Sequence, residues 1–177
     1  MKAELVENRI IVWGIPDARQ LFGSGYYGKP VGIPKPKVDE IDAPLVLDMM
    51  EGLYLSRAGK ITVYRSKKRV PDEELAEKCR SEYHNFEKKY AVYCDFRDKG
   101  YIVSPGIKFG CDFAVYERGP GIDHAPYLVQ VYDGKDVISS TGVVRAGRLA
   151  MSVKKQFILA VPRAGRVDLL ALDWWRA

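Results

Sequence analysis

The sequence predicts a mixed α/β fold, α+β in its layout, arranged as two small units, residues 1–86 and 87–177. Three observations carry this. Hydrophobic residues make up 47% of the 177 and aromatic residues 11%, enough for a packed core. The apolar spacing alternates between a helical period and a period of two. A long Gly/Pro-rich stretch, from Gly23-Ser24-Gly25 to Pro44, interrupts the first half with residues that forbid regular structure.

Taken in order, Ile10-Ile11-Val12-Trp13 reads as a strand and Asp17 to Phe22 as a short helix. Residues 23 to 44 read as a surface loop. Leu45 to Arg57 has apolar residues at helical spacing and stops before Gly59, and Ile61 to Tyr64 is a β-branched strand. Pro71 followed by Asp72, Glu73 and Glu74 suits a helix start. Leu75, Cys79, Tyr83, Phe86 and Tyr90 then mark one continuing helical face, which runs on to Lys99 and ends at Gly100. Beyond it come strands at Tyr101–Val103, at Ile107–Tyr116, where Ile107, Phe109, Cys111, Phe113 and Val115 share a face, and at Tyr127–Tyr132. A helix over Thr141–Val153, capped by Ser139 or Ser140, precedes two last strands at Phe157–Val161 and Val167–Trp174.

No apolar run approaches the roughly 18 residues of a membrane span, and the N-terminus carries no signal-peptide pattern, so a cytoplasmic protein is expected. Cys79, Cys94 and Cys111 are odd in number and form no CxxC pair, which argues against a zinc or dithiol site and for apolar filling.

The net charge of +5 admits a polyanionic partner without requiring one. Local distribution says more. Between Asp136 and Asp168 lie six basic residues, Arg145, Arg148, Lys154, Lys155, Arg163 and Arg166, and no acidic one. Arg145, Arg148, Ser152 and Lys155 recur at helical spacing, with Val144, Leu149, Ala150 and Val153 expected to face inward. Such a stripe without acids points to phosphate contact, against the blander alternative of a solvated cationic face. His84, amid charged residues, is expected to face solvent; His124 sits in a Gly/Pro-rich turn just before a strand, where an imidazole serves as acid or base.

Cleaving RNA without a metal needs a base for the 2′-hydroxyl, an acid for the leaving 5′-oxygen and a cation for the phosphorane. Histidine suits the acid, and lysine supplies fixed charge. Tyrosine is a base only where nearby cations, such as Lys155 or Arg148, lower its pKa. No carboxylate cluster with metal-ligand spacing lies within 107–155, which disfavours two-metal hydrolysis; Asp112 stands alone.

Three ordered motifs now matter together: Lys108-Phe109-Gly110-Cys111-Asp112-Phe113-Ala114-Val115-Tyr116-Glu117-Arg118-Gly119-Pro120, His124-Ala125-Pro126-Tyr127-Leu128-Val129, and Arg148-Leu149-Ala150-Met151-Ser152-Val153-Lys154-Lys155. With Tyr90 to Tyr101 and Tyr26-Tyr27-Gly28-Lys29-Pro30, they resemble the archaeal tRNA-splicing endonuclease (tRNA-intron lyase) family over nearly the whole chain, most specifically over 90–161.

That resemblance implies an N-terminal α/β domain (1–86) and a restriction-endonuclease-like catalytic domain (87–177). It implies a triad of Tyr116, His124 and Lys155, with Lys155 taken from the Lys154-Lys155 pair because many members carry arginine at the first of the two positions. The implied reaction is metal- and cofactor-free cleavage of precursor tRNA at bulge-helix-bulge junctions, leaving a 2′,3′-cyclic phosphate and a 5′-hydroxyl. Arg148 matches a basic position that grips a flipped bulge base, and Arg176 is the available second such arginine; Arg145 and Lys154 join them as RNA contacts. The segment Asp133 to Asp136 resembles one that inserts into a neighbouring subunit. The Val31–Pro44 segment looks longer than the family's usual link, and Lys29, Lys35 and Lys37 are its expected RNA contacts, a spacer being the alternative. One triad per chain implies either a homotetramer or two copies paired with a related structural subunit, the longer loop leaning toward the latter. The contrasting reading is a non-catalytic RNA-positioning subunit.

Overall fold

The computed structural model describes residues 1–34, 36–122, 124–135 and 137–172. Lys35, Asp136 and Arg176, expected above to contact RNA or a neighbouring subunit, lie outside them. The chain is α/β throughout and divides into two compact units, Met1–Phe86 and Glu87–Ala177.

The first unit is built on a six-stranded mixed sheet. Its strands are β1 (Lys2–Val6), β2 (Arg9–Val12), β3 (Lys29–Pro30), β4 (Leu45–Leu47), β5 (Thr62–Arg65) and β6 (Lys68–Arg69), in the spatial order β3-β4-β2-β1-β5-β6. Only β1 and β5 run parallel. Helices α1 (Ile15–Gly23), α2 (Met49–Arg57) and α3 (Asp72–Glu82) supply Leu21, Leu53, Leu55 and Leu75 to a core shared with Ile10, Leu45, Leu47 and Val63, all essentially fully buried.

Leu45–Arg57 is not one helix, as its spacing predicts, but β4 followed by α2. Leu45-Val46-Leu47 pairs in register with Val12, Ile11 and Ile10, and Asp48 ends the strand by capping α2, its carboxylate accepting the Glu51 amide at 2.8 Å. Three residues of strand are too few to show a period of two. Helix α2 crosses close to β2 at Gly52, where an added Cβ would collide with the Ile10 side chain.

The continuous helical face expected over 72–99 is two helices, α3 and α4 (Phe86–Asp98). They part at Tyr83-His84-Asn85, where Asn85 takes the left-handed conformation (φ 55) that asparagine tolerates better than most residues. His84 is exposed there.

The second unit carries a five-stranded sheet in the order β11-β10-β9-β8-β7, made of β7 (Ile102–Pro105), β8 (Phe113–Tyr116), β9 (Tyr127–Val131), β10 (Gln156–Arg163) and β11 (Arg166–Leu172). Only β9 and β10 are parallel, and parallel neighbours need a crossover, here α5 (Ser140–Ser152). Ser139 is its N-cap, its hydroxyl accepting the Gly142 amide at 3.1 Å. Helix α4 covers one face of the sheet, with the Tyr93 and Phe113 rings 6.2 Å apart. On the other face Ala150 of α5 joins a cluster of Cys111, Ala114, Ala125, Leu128, Phe157 and Leu159. Arg97 is buried among these layers yet satisfied, donating to the Tyr93 hydroxyl at 3.0 Å and the Val103 carbonyl at 3.3 Å.

Two expectations change in this unit. The strand read over Ile107–Tyr116 begins only at Phe113, and Ile107–Phe109 is a 3₁₀ turn with Ile107 84% exposed. Two glycines cause it: Gly110 closes the turn at φ +69, and at Gly106 a Cβ would stand 2.6 Å from the Cys111 sulfur. On α5 Ala150 is buried and Val153 packs against the same cluster, as expected, but Val144 is 39% exposed and Gly147 is the buried residue instead. Among the described residues no helix is long and apolar enough to cross a membrane.

Candidate active site

Strand register fixes where Tyr116, His124 and Lys155, the expected triad, stand. Val115 of β8 lies opposite Tyr127 of β9, and Tyr127 opposite Gln156 of β10. Tyr116 is one residue past that row, Lys155 one residue before it, and His124 stands two residues before β9's first partner-row neighbour, Pro126. All three therefore gather at one end of three adjacent strands. Neighbouring strands are about 4.8 Å apart, so the Tyr116 and Lys155 backbones are separated by roughly 10 Å, with the 124–126 segment entering between them. Side chains of tyrosine and lysine span such a gap.

Parity fixes the face. Ala114, Leu128 and Phe157 occupy one cross-strand row on the side covered by α5. Tyr116, two residues after Ala114, is on the same side and packs half-buried against the same cluster, as does Phe109.

Lys155 reaches this corner through the end of α5. The Lys155 amide donates to the Ala150 carbonyl at 2.8 Å and the Lys154 amide to the Met151 carbonyl at 3.1 Å, the paired bonds of a Schellman ending. Lys154 holds the left-handed position, φ 54, that glycine usually takes. Lys155 thus lies beyond the helix, not on its Arg145–Arg148–Ser152 face as its spacing predicts. Its ammonium donates to the Ala125 carbonyl and stands 5.4 Å from the centre of the Phe109 ring. A left-handed non-glycine residue costs about 1–2 kcal/mol. Lys154→Gly is accordingly expected to raise the unfolding free energy by about 1 kcal/mol, read by urea denaturation.

His124 is exposed, while its neighbour Ala125 is buried and anchors the loop in the core. The Gln156 amide donates to the Pro126 carbonyl at 2.8 Å, tying this loop to the start of β10. Beside the site, the Tyr127 hydroxyl donates to Glu117 at 2.8 Å, which raises the phenol's pKa and marks it as a structural partner of that carboxylate.

The other expected site residues are distributed as follows. Arg145 and Arg148 are exposed on α5, and Lys154 is exposed at its end. Lys29 and Lys37 are exposed in the first unit, Lys37 paired with Glu40 at 3.0 Å. Asp133 is ion-paired within the chain to Lys88 of α4, and that ammonium holds its carboxyl below the usual range. Asp112 accepts from the Lys89 ammonium at 2.8 Å, the Gln130 amide at 2.6 Å and the Val131 backbone at 2.8 Å. Among the described residues no group of three His, Cys, Asp or Glu converges as a metal site. The three cysteines are free thiols, and burial with nearby Asp112 pushes Cys111 up to about 11, so it stays protonated at neutral pH.

Phe109 and the Ala125 carbonyl are parts of this corner that sequence reasoning did not single out. Phe109 reads there as one more core residue of an alternating strand. Only the 3₁₀ turn, signalled by Gly106 and Gly110, redirects it.

Comparison with known proteins gives a consistent match. Residues 86–169 match the family model of the tRNA intron endonuclease catalytic C-terminal domain, and residues 1–76 that of the tRNA intron endonuclease N-terminal domain. A tRNA-splicing endonuclease of Hyperthermus butylicus is 48% identical over 177 residues, covering 98% of each chain. Those of Sulfurisphaera tokodaii and Saccharolobus solfataricus are 42% and 40% identical, the first covering 98% of both chains and the second 91% of this chain and 90% of its own.

Proposed function

The chain belongs to the tRNA intron endonuclease family, and on that premise we propose that it excises introns from precursor tRNA by metal-independent cleavage at bulge-helix-bulge junctions. The observation that carries the reading is the convergence at one sheet end of Tyr116, the loop bearing His124, and Lys155, whose ammonium bonds to the carbonyl next to that histidine.

In this reading Tyr116 removes the proton of the 2′-hydroxyl at the exon–intron junction. The freed 2′-oxygen attacks the adjacent phosphorus, the bond from phosphorus to the 5′-oxygen breaks, and His124 donates a proton to that departing oxygen. Lys155 faces the non-bridging oxygens, where negative charge builds in the transition state. One new P–O bond replaces one lost, so the products are a 2′,3′-cyclic phosphate and a 5′-hydroxyl with no water consumed. Arg145 and Arg148, exposed on α5, Lys154, exposed at its end, and Arg176 would grip phosphates and splayed bulge bases, since RNA is read largely through shape and unpaired nucleotides.

Each chain brings one triad, whereas an intron has two junctions. The working enzyme is therefore two active copies, paired with a related structural subunit or with two further copies of this chain, acting in the cytoplasm. Asp133 and Asp136 would lie at that subunit contact, and Lys29, Lys35 and Lys37 would extend the RNA contact.

The test is incubation of the purified protein with a bulge-helix-bulge RNA in excess EDTA, with and without a co-expressed related subunit, followed by end analysis. Fragments ending in cyclic phosphate and 5′-hydroxyl are expected. Binding without cutting under every condition would instead assign the chain a positioning role, and cleavage abolished by EDTA but restored by a divalent ion would overturn the metal-free mechanism.

A further inference from the structure

Lysine is a poor device for holding a charge in one place. Its four-carbon stem is flexible and its ammonium is a strongly hydrated point charge with three donors. At this corner the Ala125 carbonyl accepts a hydrogen bond from the Lys155 ammonium, and the centre of the Phe109 ring lies 5.4 Å from it. Ring faces attract cations over distances up to about 6 Å.

The ring itself is firmly placed. Phe109 ends the Ile107–Phe109 3₁₀ turn, with its amide donating to the Gly106 carbonyl at 2.8 Å and the Cys111 amide to the same carbonyl at 3.3 Å. The ring then packs half-buried against the cluster of Cys111, Ala125, Leu128 and Ala150. A second ammonium, that of Lys108, stands 5.5 Å from the same ring. The ring thus gathers positive charge at the point where a phosphate would arrive, which an aliphatic residue of similar volume would not do.

We propose that Phe109 is a positioning residue: its π face, with the Ala125 carbonyl, fixes the Lys155 ammonium beside His124, where it faces the scissile phosphate. The proposal rests on the reading of Lys155 as the charge-stabilising group. It assigns specific work to an aromatic that otherwise counts as core.

Single-turnover cleavage of bulge-helix-bulge RNA at saturating enzyme tests it. Phe109→Leu is expected to slow cleavage about 10-fold with RNA affinity changed less than twofold, and Phe109→Tyr, which keeps the π face, to restore most of the rate. Progressively fluorinated phenylalanines at position 109 keep the ring's shape but drain its face of negative charge. They are expected to slow cleavage stepwise, and they serve where Phe109→Leu does not fold. In a Lys155→Ala background the same changes are expected to have no further effect. A fluorination series with a flat rate, or one whose slowing persists without Lys155, overturns the proposal. If Lys155→Ala alone cleaves at the wild-type rate, the assignment of Lys155 falls as well; if Lys155→Ala is inactive while fluorination has no effect, only the role of Phe109 falls.

Discussion

Replacing His124 with alanine is expected to slow cleavage by about 10²–10⁴-fold while leaving both RNA affinity and thermal stability close to wild type. The three quantities separate because of where this side chain sits. The imidazole is exposed at a loop, so its removal opens no cavity. The loop is held instead by buried Ala125 and by the Pro126 carbonyl, which accepts the Gln156 amide. What disappears is the proton for the departing 5′-oxygen. A substrate carrying sulfur at that bridging position needs no such proton, because a thiolate leaves readily without protonation. His124→Ala should therefore cut the sulfur substrate at nearly the wild-type rate. An equal defect on both substrates would show that the histidine is not the acid, and a defect in affinity alone would make it a docking contact.

Elements with long, one-sided periodicity or an unambiguous boundary were legible in the sequence. Helices α1 and α5 and strands β2, β5, β9 and β10 fall within a few residues of their expected places, as do the start of α3 and the end of α4. Gly100, at φ +88, closes α4 just as a helix-ending glycine should. The elements that were not legible are short or interrupted. Strands β3, β4 and β6 have two or three residues each and exist because neighbouring strands supply their hydrogen bonds. β1 hides in Lys2-Ala3-Glu4-Leu5-Val6, where Ala3 and Leu5 alone carry the buried face.

At the site, composition showed that an imidazole and several cations lie close in sequence. It did not show how Lys155 leaves its helix. That turn depends on Lys154 adopting a left-handed conformation, which lysine has no intrinsic preference for and which only the backbone bonds to Ala150 and Met151 reveal. The sequence likewise offered Asp112 as a lone carboxylate of uncertain purpose. Its three donors show that purpose to be structural.

Asp112→Ala is expected to cost about 3–5 kcal/mol of unfolding free energy, the range for removing one partner of a largely buried ion pair. Asp112 is 10% exposed at its side chain and Lys89 24%. Alanine would leave the Lys89 ammonium without this carboxylate, and the Gln130 amide and Val131 N–H without their acceptor. These donors come from α4 and β9, and Asp112 directly precedes β8, so one carboxylate ties the helix to the two strands that lead to Tyr116 and His124. Asp112→Asn keeps the shape and one acceptor oxygen but gives up the charge, and should lose less stability than alanine. Because Asp112 precedes the strand that ends at Tyr116, its effect on cleavage should follow its effect on folding. At a temperature where each variant is fully folded, cleavage by Asp112→Asn should lie within a fewfold of wild type. A large rate defect in folded Asp112→Asn, with its melting temperature preserved, would instead make this carboxylate part of the chemistry.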